Sequence, residues 1–116
     1  MEEIAIPESL DEALRWLTST MSDDDRLYIL NISDPDEFVG INHLTHARSI
    51  RSDWGLWTEG PLRDWFKKHG INHADDMSSV IFEALWYKVH GKKYDIGVSK
   101  ARFDAHWEKY GDLGDV

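Results

Sequence analysis

Ala74 to His90 read ADDMSSVIFEALWYKVH, the clearest helical stretch in the chain. Asp75 and Asp76 occupy its start, where a helix favours negative charge. Met77, Val80, Ile81, Ala84, Leu85 and Val89 recur at three- and four-residue spacing, and Phe82 and Trp86 widen that apolar face. A helix apolar over so much of its surface must be surrounded by others. The stretch is therefore expected to be the central helix of an all-α domain.

Working outward, Gly91-Lys92-Lys93 ends this helix, and Ser99 is expected to cap a last one carrying Phe103, Trp107 and Tyr110. Between them Tyr94, Ile96 and Val98 alternate, leaving a short strand over 93–98 open. Upstream, Gly60-Pro61 opens a helix through Leu62, Trp65 and Phe66 that Gly70 stops. Asp34-Pro35 opens another, expected to run to about Asp53, where Trp54-Gly55 turns the chain. Ser22 with Asp23, Asp24 and Asp25 starts a short helix. Ser9 followed by Glu12 is a capping-box signature for the first, whose stripe is Leu10, Ala13, Leu14, Leu17 and Met21. The expected architecture is one domain over residues 1–116: a compact bundle of five to six short helices, with 112–116 a frayed tail.

Charge is distributed unevenly. The formal net charge of −9 lies entirely in the first 40 residues, which hold eleven acidic side chains against Arg15 and Arg26. Such a field repels nucleic acid and membrane surfaces and steers basic partners toward the acidic end. The chain has no cysteine, which excludes disulfides, thiolate nucleophiles and Cys-ligated zinc. No apolar run approaches the roughly 20 residues of a membrane span, and the opening Met1-Glu2-Glu3-Ile4 is acidic where a signal peptide is basic. A cytoplasmic protein is the expectation.

Leu10-Asp11-Glu12-Ala13, His43 ahead of Ile50-Arg51, Trp54-Gly55-Leu56-Trp57, Gly70-Ile71 and Asp75-Asp76-Met77-Ser78 leading to Leu85-Trp86 form a pattern. Over Leu10 to Val89 it resembles a family of small bacterial proteins recorded only as a domain of unknown function. The family pattern has Asn after the arginine and Pro before the double acid, where this chain has Ser52 and Ala74. The resemblance implies a shared helical fold and no activity.

Several residue sets invite a functional reading. His43 and His46 are spaced i, i+3, and His69 and His73 flank Gly70 near Asp75 and Asp76. None of these matches a recognised zinc signature, so neither a metal nor any other cofactor is expected. His43, Arg51, Asp76 and Ser78 are the polar residues that the family pattern also contains. They could form an acid–base or anion site, but the structural reading is more economical: Asp76 and Ser78 cap a helix and Arg51 pairs with Asp76. Lys88, His90, Lys92, Lys93 and Lys100 with Tyr87 and Tyr94 could track a nucleic-acid backbone, but the net charge opposes that.

The favoured function is therefore non-enzymatic protein binding. Asp23, Asp24, Asp25, Asp34, Asp36 and Glu37 would face a basic partner, with Trp16 and Trp107 as anchors. By composition the chain also resembles phage-encoded inhibitors of bacterial defence, including anti-CRISPR proteins. That likeness implies a nuclease, helicase or other nucleic-acid-handling protein as partner, with no direct contact to nucleic acid or membrane. The alternative is a small metal-dependent or acid–base enzyme, or an anion-binding domain, around His43, Arg51 and Asp76.

Overall fold

Start and stop signals divide the computed structural model, which describes residues 6–43 and 46–110, into α1 (Leu10–Thr20), α2 (Asp23–Leu30), α3 (Pro35–His43), α4 (His46–Asp53), α5 (Pro61–Lys68), α6 (Ala74–Val89) and α7 (Ile96–Tyr110). The all-α expectation holds, and the described residues contain no strand. The helix number does not hold: there are seven among the described residues, not five to six.

One difference is over the stretch expected as a single helix from Asp34 to about Asp53, where α3 and α4 are described and residues 44 and 45 between them are not. The other is at the start of α7. Asp95 Oδ1 accepts the Gly97 N–H at 2.9 Å and Asp95 O accepts from Val98 N at 3.2 Å, so Asp95 opens the helix. Ser99 is consequently an interior, buried residue rather than a cap. The same opening removes the alternative strand: Tyr94 and Ile96 pack against the core while Val98 points to solvent. The expected frayed tail, 112–116, lies outside the described residues.

Other signals act as read. Ser9 Oγ accepts from Glu12 N at 3.2 Å, although Glu12 reaches back to Glu8 N rather than to Ser9. The reciprocal capping box forms at Ser22 and Asp25 instead. At the end of α5, Gly70 adopts φ +82°, with Ile71 N bonded to Phe66 O and Gly70 N to Lys67 O. Gly91 at φ +69° repeats that double bond after α6. These are Schellman terminations, and the left-handed residue they need is the one glycine supplies without strain.

α6 touches all six other helices. From Val80 to Trp86 every residue is buried, so this segment has no solvent face. Around it lie Ala13 and Leu14 of α1, Ile29 of α2, Phe38 of α3, Ala47 of α4 and Leu62 and Phe66 of α5. Each large apolar side chain fully buried there contributes about 1.5–3 kcal/mol of transfer free energy. Phe38 meets Phe82 edge-on with ring centres 5.9 Å apart. Polar bonds fix the register: Trp86 Nε1 donates to Ile32 O at 2.8 Å, and His90 Nε2 donates to Ile29 O at 3.0 Å while its ring stacks on Trp86.

Candidate functional site

The acidic third of the chain folds into exposed helix starts. Ser22 Oγ accepts from Asp25 N at 3.0 Å and Asp25 Oδ2 from Ser22 N at 3.2 Å, so the cap holds Asp23, Asp24 and Asp25 in the first turn of α2. Asp34 Oδ1 accepts from Asp36 N at 3.0 Å and places Asp36 and Glu37 in the first turn of α3. All six acids of the predicted face are exposed.

The apolar residues among these acids were missed by sequence reasoning. α2 sends only Ile29 into the core, and Leu27 is 57% exposed, Tyr28 53% and Leu30 42%. Ile41 of α3 is also exposed. A cleft of about 330 Å³ opens here, with Phe38, Phe82, Ile29 and Leu85 in its lining and Asp25 and Tyr28 beside them. The available signal was the weak amphipathicity of DDDRLYIL, in which neighbouring apolar residues cannot all face inward.

The expected anchors are engaged within the protein. Trp16 is half-buried and meets Trp54 edge-on at 5.9 Å. Trp107 is half-buried, stacks on the His73 ring at 4.0 Å and donates Nε1–H to Asp76 Oδ2 at 2.8 Å.

The second candidate set is divided between two sides of α6. Arg51 is buried, and its Nη1 donates to Ser78 Oγ at 3.0 Å; Ser78 in turn donates to Asp75 O at 3.0 Å. Arg51 Nε lies 3.5 Å from Asp75 Oδ1, near enough for charge pairing but not hydrogen bonded. The exposed Trp57 ring covers the guanidinium, its centre 5.7 Å away, while Trp54 is buried. The expected Arg51–Asp76 pair is therefore an Arg51–Asp75 pair. Consecutive helix residues point about 100° apart, so the side chain facing α4 is Asp75 and the one facing α7 is Asp76. The N-cap of α6 is His73, not Asp76 or Ser78.

His43 is half-buried, and none of the described contacts joins it to Arg51, Asp76 or Ser78. His46 Nδ1 lies 2.8 Å from Asn42 Oδ1, and His69 stacks on Trp65 with Nδ1 2.8 Å from Trp65 O. Among the described residues no group of three or more His, Cys, Asp or Glu is placed to hold a metal ion. The basic and aromatic residues near the end of α6 are also occupied: Lys92 lies over the Trp86 ring and Lys100 pairs with Asp104.

A third polar set joins α6 to α7. Glu83 is buried; its Oε1 accepts from Ser99 Oγ and its Oε2 from Arg102 Nη2 at 2.9 Å. Tyr94 Oη donates to Ser99 Oγ at 2.7 Å. Burial pushes the Tyr94 hydroxyl pKa above its ordinary value, and nearby Glu83 adds to the shift. Burial likewise raises the Asp76 carboxyl, with the Trp107 hydrogen bond and His73 acting against it.

A family model described as a domain of unknown function (DUF6794) matches residues 6–89. The chain belongs to the DUF6794 family. The match begins at Ile6 and ends with α6, and it contains both the acidic face and the Arg51–Ser78 contact. It attaches neither the bacterial origin nor the anti-CRISPR likeness suggested by the sequence. Neither the curated proteins nor the solved structures give a match. No described helix of this DUF6794 protein is long and apolar enough to cross a membrane.

Proposed function

We propose that this DUF6794 protein is a non-enzymatic protein-binding module whose α2–α3 region docks a basic partner. The observation carrying this reading is that Leu27, Tyr28, Leu30 and Ile41 stand exposed on the same two helices as Asp23, Asp24, Asp25, Asp36 and Glu37. Exposed apolar groups beside charge supply the two components of an interaction site. The carboxylates would accelerate encounter and set orientation, and the apolar groups would provide the desolvated anchor. The cleft of about 330 Å³ beside Tyr28 would receive one apolar side chain of the partner. Trp16 and Trp107 drop out as anchors because each is committed to an internal ring contact. A nuclease or helicase, with a basic nucleic-acid channel, has the complementary chemistry, and occupation of that channel would inhibit it.

The test is capture from a lysate of the cells that make the protein. Wild type and the Asp23→Lys, Asp24→Lys, Asp25→Lys variant are compared at low and high salt by mass spectrometry. A basic protein held by wild type at low salt, and lost with salt and with the variant, supports the reading. The same partner held equally by both proteins refutes it.

A further inference from the structure

We infer that His73, Asp76 and Glu83 form a recognition groove for a basic, aromatic helix, and that α7 fills this groove as a displaceable ligand in cis. Asp76 and Glu83 lie seven residues apart, two turns along one face of α6, and His73 stands at its N-cap. All three are engaged by α7. Ser99 and Arg102 take the two Glu83 oxygens, and Trp107 takes Asp76 Oδ2 and the His73 ring face. The α7 chain therefore runs antiparallel to α6 and presents an arginine and an indole five residues apart to two carboxylates.

Three further observations separate α7 from the domain it covers. It lies beyond the family match, which stops at Val89. Its one fully buried described side chain is Ser99; Ile96, Phe103 and Trp107 are half-buried and Val98 is 64% exposed. Finally, clefts of about 410 Å³ and 360 Å³ remain along its seam, the first lined by His73, Asp76 and Trp107, the second by Glu83, Ser99 and Arg102. A helix held by polar bonds over a partly filled groove opens more readily than one sealed by apolar packing. Asp36 and Asp95 line the second cleft too, with Lys93, so an incoming cation there meets three carboxylates. The partner for the opened groove is a helix of another protein carrying an arginine and an aromatic residue at the α7 spacing. This inference stands independently of the α2–α3 reading.

The test uses the full chain. Hydrogen exchange is followed in α7 and in 80–86 of α6, for wild type and Arg102→Ala, and a fluorescein-labelled peptide of residues 96–110 is titrated into both. The expected results are exchange at least tenfold faster in α7 than in 80–86 of wild type, and a further rise in α7 alone in the variant. The peptide should bind the variant at least tenfold more tightly than wild type, and a peptide carrying Arg102→Ala and Trp107→Ala should lose that binding. Equal exchange of the two segments in wild type would overturn the inference. So would loss of α6 protection in the variant, or a peptide that binds neither chain.

Discussion

Arg51 and Ser78 meet across 27 positions of sequence, Nη1 donating to Oγ at 3.0 Å, and this bond clamps α4 onto the first turns of α6. The guanidinium is buried under Trp57, and Asp75 supplies the opposing charge. Cutting it away leaves the Ser78 contact unmade and a gap beneath the indole. Arg51→Ala is expected to lower unfolding free energy by about 2–4 kcal/mol, measured by urea denaturation. Arg51→Lys should recover little, because a single ammonium cannot reach both Ser78 and Asp75 from a planar fork's positions.

The Trp86 indole N–H donates to Ile32 O from inside the core. Trp86→Phe removes that donor, leaves the carbonyl unpaired and opens space in the core. A loss of about 2–3 kcal/mol is expected. The 29–32 segment should show the largest rise in hydrogen exchange, since His90 would be its remaining polar tie to α6.

Asp76 and Tyr94 set the pH dependence at the α7 seam. Burial raises the folded pKa of both. For a group raised on folding, stability is fully present below the unfolded pKa and is lost as pH rises through the folded one. Asp76 therefore weakens the fold as pH climbs from about 4, and Asp76→Asn, which keeps an acceptor for Trp107, should flatten that part of the profile. Tyr94 weakens it above about pH 10, and Tyr94→Phe should remove the alkaline fall. Melting temperature against pH for the three proteins reads both effects.

Gly91 has no neighbour within 4 Å of an added Cβ, whereas a Cβ on Gly70 would meet Lys100 Cε. Both have positive φ. Gly91→Ala should cost about 1–2 kcal/mol from the left-handed backbone alone. Gly70→Ala should cost the same backbone term and also push Lys100 aside, breaking its pair with Asp104, which lies at the surface and adds little. Denaturant midpoints should thus shift alike for the two variants.

The fold was legible where one residue type permits one local geometry. Gly70, Gly91, Pro35 and Pro61 mark boundaries that the structure keeps. Continuous apolar spacing over 74–90 likewise placed α6 at the centre. What sequence could not resolve depended on facing. Asp75 and Asp76 are adjacent, and only the positions of α4 and α7 decide which of them pairs with Arg51 and which with Trp107. Ser99 has the residue type of a cap, but α7 opens at Asp95 and Ser99 meets Glu83 from inside the helix. The acids of the α2–α3 region are visible in composition, whereas the exposure of Leu27, Tyr28 and Leu30 depends on α2 burying Ile29 alone.

Docking of the basic partner by the α2–α3 region is separate from helix exchange at the α6–α7 seam. Its most direct test is the association rate of the captured partner with wild type, with the Asp23→Lys, Asp24→Lys, Asp25→Lys variant and with Trp107→Ala, each across a range of salt. The triple reversal is expected to slow association about tenfold or more at low salt and to flatten its salt dependence, while Trp107→Ala leaves the rate unchanged. Association untouched by the triple reversal but abolished by Trp107→Ala would contradict it.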